Sequence, residues 1–277
     1  MVIGGRDFDV WNKTYVMGIL NVTPDSFSDG GRYDREERAL RRAAKMIEEG
    51  VDIIDVGGES TRPGSVPVSD KEEMERIIPV IQKIHERYDI PVSVDTYKSN
   101  VAREAAEAGA CLVNDIWGLK GDRAMAKTIA DLGVCCCLMH NRSKPAQRHF
   151  MNVMLEEMTE TVLAAKEAGI RDDRMILDPG VGFGKTYEMN LEVIKNLSVF
   201  RRFSYPVLLG ASRKSVIGQT LDLPVDQREE GTIVTTVMAV LNGCSFVRVH
   251  DVAGNLRAVR MAEAIMKARA FGQASCG

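Results

Sequence analysis

The sequence predicts an α/β chain folded as an eight-fold β/α barrel (a TIM barrel) with one polar site at the C-terminal ends of its strands. Three observations carry that reading. Eight short apolar runs recur, each followed by a stretch of helical periodicity. Each run closes on a polar side chain or turn: Asn21, Asp55, Asp95, Asn114, His140, Asp178, the 210–215 turn and Arg248. The length of 277 residues suits a barrel, which uses about 250 residues as one unit. Strict alternation of near-continuous apolar strands with amphipathic helices implies a parallel sheet covered by helices, with an open doubly wound sheet as the alternative. Closure of that sheet would bring the polar run ends to one rim.

The elements follow in order. Strand 15–22 leads into a stretch rich in Pro, Ser, Asp and Gly, then helix 34–49 with Leu40, Ala43, Ala44 and Ile47 on one face. Strand 51–56 precedes a second Gly/Pro loop, after which Ser69 and Glu72 form a capping box for a helix faced by Met74, Ile77, Ile78, Ile81 and Ile84. Strand 91–95 is followed by helix 98–108, strand 111–114 by helix 122–132, and strand 134–139 by helix 150–168. Strand 175–178 then gives helix 188–197, strand 207–210 gives 212–242 with a break near Pro224, and strand 246–249 gives helix 255–270. Gly109, Gly133, Gly169 and Gly243 stand where a helix ends in a left-handed residue. No linker divides the chain, so residues 1–277 read as a single domain with mobile loops at about 21–33 and 57–69.

Composition narrows the class. Hydrophobic residues at 45%, charged residues at 27% and a net charge of -3 describe an ordinary soluble globular protein without a basic stripe, so no nucleic-acid partner is expected. Apolar runs stop well short of the ~20 residues of a membrane helix. Residues 1–12 hold no signal-like stretch, so a cytoplasmic location is expected, away from membranes. The chain has six cysteines, of which Cys135, Cys136 and Cys137 are consecutive; on a strand they face alternate sides, which is no ligand spacing. They read as buried reduced thiols.

Four clusters after the strands carry chemistry. Residues 21–31 hold two glycines, a proline and small hydroxyls together with Phe27 and Asp29, and read as a lid or as an inert capping loop. In 55–64, Arg62 is an anion clamp or a solvated loop arginine. Asp95, Asn114 and Asp178 end apolar strands, where a buried carboxylate is costly without donors; they suit a 2-amino-4-oxo-pyrimidine edge, or else internal salt bridges. Ile116, Met139 and Phe183 offer apolar walls or core packing. Ser212, Arg213, Lys214 and Ser215 with Arg248 and His250 set cations and backbone N–H groups at a helix start, a setting for anions.

The blocks 18–31, 57–64, 113–116, 138–140, 177–185, 210–215 and 248–251 occur in an order that resembles the dihydropteroate synthase family, pterin-binding barrel enzymes of folate biosynthesis. The likeness spans nearly the whole chain. It implies condensation of 6-hydroxymethyl-7,8-dihydropterin diphosphate with 4-aminobenzoate to 7,8-dihydropteroate and diphosphate, with Mg²⁺ as cofactor. It also implies an SN1-like course, competition by sulfonamides and a homodimer.

By the same resemblance Asp95, Asn114, Ile116, Met139, Asp178, Phe183, Gly210, Lys214 and Arg248 bind the pterin. Asn21, Arg62, Arg248 and His250 hold the diphosphate, with Asn21 on the metal. Phe27, Thr61, Pro63, Lys214 and Ser215 receive 4-aminobenzoate. Asp29, Asp95, Lys214 and Arg248 are the catalytic set, and pterin is expected to bind first. Asp55 either binds ligand or orients Arg62 or a neighbouring loop, while 141–151 matches no family pattern. A reduced-folate methyltransferase and a non-catalytic pterin-binding paralogue are the competing readings.

Overall fold

The computed structural model describes residues 1–23, 32–60 and 66–268. Two short strands, β1 (Val2–Ile3) and β2 (Arg6–Asp7), form a small antiparallel hairpin through Gly4 and Gly5. Among the described residues, eight further strands form the parallel sheet: β3 (Tyr15–Asn21), β4 (Ile53–Gly57), β5 (Val92–Asp95), β6 (Leu112–Asp115), β7 (Cys135–Met139), β8 (Met175–Asp178), β9 (Leu208–Leu209) and β10 (Phe246–Val249). They lie in the order β8-β7-β6-β5-β4-β3-β10-β9. A parallel bridge between Leu177 and Val207, with Leu177 N donating to Pro206 O at 2.9 Å, joins β8 to the β9 segment and closes the barrel. The open-sheet alternative therefore falls.

Helices α1 (Arg32–Glu48), α2 (Asp70–Arg87), α3 (Ser99–Glu107), α4 (Met125–Leu132), α5 (Phe150–Glu167), α6 (Tyr187–Lys195), α7 (Ser215–Leu221), α8 (Glu229–Leu241) and α9 (Val252–Lys267) pack outside. Ser69 caps α2 by accepting from Glu72 N at 3.2 Å, as its sequence demands. The expected helix 212–242 is two helices, with α7 ending at Asp222 in the left-handed region and a 3₁₀ turn after Pro224. The expected 188–197 helix ends at Lys195 and passes into a 3₁₀ segment over Leu197–Phe203. Gly109, Gly133, Gly169 and Gly243 all have positive φ.

The period of two along each strand sorts the core into two. Outward side chains such as Val16, Leu20, Ile54, Val94, Cys136 and Leu177 meet the helices. Inward ones, Met17, Ile53, Leu112, Cys135, Cys137, Ile176, Leu208 and Phe246, fill the barrel. The cysteine triplet thus splits as expected. Ile3, Phe8 and Val10 join the inward group and plug the barrel at the N-terminal ends of the strands, which sequence reasoning did not anticipate. Phe8 packs edge-on to Tyr15 at 4.8 Å between ring centroids and lies 5.9 Å from Phe246.

Candidate active site

The same parity that packs the barrel floor aims the next inward layer at the mouth. Above Ile53, Leu112, Ile176 and Phe246 stand Asp55, Asn114, Asp178 and Arg248, two residues on in each strand. Arg248 forks between two carboxylates, Nε donating to Asp55 Oδ2 at 2.5 Å and Nη2 to Asp95 Oδ2 at 2.6 Å. Asn114 Nδ2 donates to Asp55 Oδ2 at 3.1 Å, which leaves its amide oxygen as an acceptor for a ligand. Asp55 therefore orients Arg248 and Asn114, a role absent from both alternatives weighed for it in the sequence.

Asp178 lies across the cup from this network. Its Oδ1 accepts from Gly180 N at 2.7 Å, and a Cβ built on Gly210 would sit 3.5 Å from its Oδ2 and 3.9 Å from Arg248 Cβ. The absence of a side chain at Gly210 keeps that carboxylate open to the cup. Lys214 donates to Val181 O and holds its ammonium 4.5 Å from the centre of the Phe183 ring. Met139 and Ile116 are buried at neighbouring strand ends.

The electrostatics are those of a site built for a donor-rich guest. Burial raises the Asp95 carboxyl to about 7, against the pull of Arg248 and with a further push from Asp55. Asp178 is also raised by burial, opposed by Lys214. Burial lowers the Lys214 ammonium to about 8, with Asp178 opposing. Arg248 is raised by its two carboxylates despite its burial. Among the described residues, Asp55 Oδ1 and Asp95 Oδ1 are buried without a hydrogen-bond partner. Buried carboxylate oxygens of this kind, on two side chains that share Arg248, suit donors from outside the chain.

The remaining expected residues divide. His250 and Ser212 meet at the mouth, Ser212 Oγ lying 3.0 Å from His250 Nδ1 and accepting from His250 N at 3.1 Å. Arg213, part of the expected anion cluster, has φ 56° and is bound to Asp251 at 3.0 and 2.6 Å, so its charge is spent within the fold. Ser215 is exposed at the start of α7. Asn21 ends β3 beside Gly57, where a built Cβ would lie 3.6 Å from both Asn21 Oδ1 and Asp95 Oδ2. Phe27, Asp29, Thr61, Arg62 and Pro63 lie outside the described residues.

Lys185, the last residue of the 177–185 block, had no expected role. It is half-buried behind the cup, where it touches His140 and two carbonyls of the turn after β8. The signal for it was the three glycines at 180, 182 and 184 directly before it, a spacing that suits a tight turn with positive φ at alternate residues.

A family model described as pterin binding enzyme matches residues 17–250. A dihydropteroate synthase of Clostridium beijerinckii is 53% identical over 268 residues, covering 96% of this chain and 100% of that protein. The crystal structure of a dihydropteroate synthase from Clostridium difficile in the presence of pteroic acid matches with a TM-score of 0.92 at 47% identity, covering 95% of this chain and 100% of that one. A Yersinia pestis dihydropteroate synthase in complex with a sulfonamide drug matches with a TM-score of 0.91 at 39% identity, covering 97% and 99%.

Proposed function

The chain belongs to the dihydropteroate synthase family of pterin-binding enzymes, and we propose that its strand-end cup condenses 6-hydroxymethyl-7,8-dihydropterin diphosphate with 4-aminobenzoate. The products are 7,8-dihydropteroate and diphosphate. One observation carries the assignment of the cup: Asp178, Asn114 and Asp95 converge with Arg248 and Lys214 around partnerless buried carboxylate oxygens. The N–H of the reduced ring supplies a donor that Asp95 Oδ1 lacks, while the 2-amino and pyrimidine N–H groups turn to Asp178. Asp178 and Asn114 take the pyrimidine edge, Asp95 faces the reduced ring, and Lys214 turns from Val181 O to the carbonyl and ring nitrogen. Gly210, Met139, Ile116 and Phe183 form the walls, and Arg248 lies against the ring face, a role suited to a planar guanidinium.

The chemistry needs no protein nucleophile. The C–O bond to the diphosphate breaks, leaving a methylene cation conjugated to the dihydropterin; the aniline nitrogen then forms the new C–N bond and gives up its proton. Side chains that stabilise charge during this SN1-like course do the catalysis. Asp95 stands against the cationic ring, with Asp29 assigned the same task from the family pattern. His250, Arg248 and Arg62 receive the departing anion. Asn21 fits Mg²⁺, because it offers one hard oxygen in the room Gly57 leaves, and Mg²⁺ takes its other ligands from water and substrate phosphates. When bound, the ion would supply positive charge at the leaving group. Phe27, Thr61, Pro63, Lys214 and Ser215 are assigned to 4-aminobenzoate, the site at which sulfonamides would compete.

A homodimer is the expected assembly, and exposed apolar side chains support it: Val234 and Leu241 on α8, Met261, Ile265 and Met266 on α9. Val259 and Ala262 of the same helix are buried in the barrel packing instead. A cytoplasmic location suits the five free cysteines of the described residues. The test of the activity is diphosphate release with and without 4-aminobenzoate. Release requiring both substrates is expected; tight pterin binding with no release would favour a non-catalytic paralogue.

A further inference from the structure

The turn 180–184 after β8 has positive φ at Gly180 (68°), Gly182 (87°) and Gly184 (55°). It folds so closely onto the chain that a Cβ on Gly180 would lie 1.9 Å from His140 O, and one on Gly184 2.2 Å from Arg142 O. Two carbonyls of this turn point to Lys185. Its ammonium donates to Gly180 O at 2.7 Å and Phe183 O at 3.0 Å, and it reaches His140 O at 3.3 Å and His140 Nδ1 at 3.0 Å. Burial lowers the Lys185 amine to about 7, against the pull of Asp178. In its charged form it only donates and a carboxylate only accepts, so His140 beside it is the neutral tautomer carrying its hydrogen on Nε2, which donates to Glu157 Oε2 at 2.8 Å. Burial, then the charge of Lys185, hold that ring neutral, pushing it down to about 2. Glu157, on α5, ends the chain of bonds outside the barrel, with Arg142 3.3 Å from its other oxygen.

The opposite side of the turn is part of the cup. Gly180 N holds Asp178, Val181 O holds Lys214, and the Phe183 ring lies under the Lys214 ammonium. We propose that Lys185 is a positioning residue of the pterin cup: anchored through His140 to Glu157, it keeps the 180–184 turn in the shape that presents Asp178, Phe183 and Lys214 to the heterocycle. The proposal rests on the reading of the cup as a pterin site. Without the ammonium, the inward carbonyls and the ring nitrogen face one another with no donor between them, and the turn must open.

Lys185→Met keeps the length and removes the donors. Wild-type diphosphate release that needs both substrates checks the reading of the cup; the ratio of variant to wild type checks the proposal. The KM for pterin diphosphate should rise roughly 10- to 100-fold, as for loss of charge-assisted hydrogen bonds, with the KM for 4-aminobenzoate at saturating pterin within about threefold. Amide hydrogen exchange at Gly180 and Gly182 should quicken. Combined with Lys214→Met, the loss should be smaller than the product of the two single losses, because one residue acts through the other. A folded Lys185→Met with an unchanged pterin KM overturns the proposal, as does an equal rise in both KM values or full multiplicativity with Lys214→Met. If Lys185→Met does not fold, Glu157→Ala decides at the more exposed end of the relay: a rise of roughly 3- to 10-fold in pterin KM supports the role, and no rise removes it.

Discussion

Asp95 has one oxygen on Arg248 and the other without a partner, and burial holds its carboxyl near 7. Two consequences of opposite sign follow. The folded chain binds this proton more tightly than the unfolded one, so the group's contribution to stability is complete below its ordinary value of 3.8 and is lost as pH rises through about 7. Pterin N–H donors favour the ionised form, so binding below about pH 7 must expel a proton, and affinity should weaken by up to about tenfold per pH unit on the acid side. Calorimetry in buffers of different ionisation enthalpy would show proton release near pH 6; a flat profile between pH 5 and 8 would contradict it. Asp178→Ala should cost about 2 to 5 kcal/mol of pterin affinity, as for a buried charged hydrogen bond losing one partner. A titration showing less than about 0.5 kcal/mol would remove Asp178 from the pyrimidine edge. Asp95, Asn114 and Asp178 were legible in the sequence because each ends an apolar run, where a polar side chain needs a reason. The pairing of Asp55 with Arg248 was not, since the two are 193 residues apart and meet only once the barrel closes.

Among the elements, the helices and most strands could be read from periodicity, because burial on one face imposes a period that sequence preserves. Strand β9 has only two residues and carries almost no periodicity of its own; its place is set by neighbours on both sides. Even so, β9 lies within the expected strand 207–210, whereas the hairpin β1–β2, with two residues to each strand, escaped the sequence reading. Between β4 and α2 a buried clasp stands on either side of residues 61–65: Lys98 Nζ donates to Glu59 Oε2, Glu73 Oε2 and Val68 O, each at 2.6 Å. Tyr97 OH also donates to Glu59 Oε1 at 3.0 Å. Burial raises the Glu73 carboxyl while Lys98 opposes the shift. Lys98→Met would leave the enclosed carboxylates of Glu73 and Glu59 without their shared cation and should destabilise the fold by about 3 to 5 kcal/mol, read from urea unfolding. A midpoint unchanged from wild type would mean that water reaches the clasp.

For the whole molecule, the plug of Ile3, Phe8 and Val10 turns the barrel floor into a packed layer. Phe8→Ala should cost about 3 to 5 kcal/mol of stability while leaving the pterin KM near the wild-type value, because the cavity opens far from the mouth. A large rise in KM without loss of stability would show that floor and cup are coupled. Ile265→Asp on the exposed face of α9 should convert the expected dimer to monomer in analytical ultracentrifugation, and a wild-type chain that sediments as a monomer would dispose of that assembly.

With Phe8 and its neighbours backing an interior that is already packed, the cup is shallow and opens at the mouth of the barrel. In the proposed binding mode a flat heterocycle at the bottom would be covered by whatever enters second, so the aromatic amine would arrive over it. The inorganic product, formed nearer the rim, would then be free to depart while the longer organic product still has its head in the cup. Trapping experiments should therefore capture the enzyme with the condensed product alone more readily than with diphosphate alone.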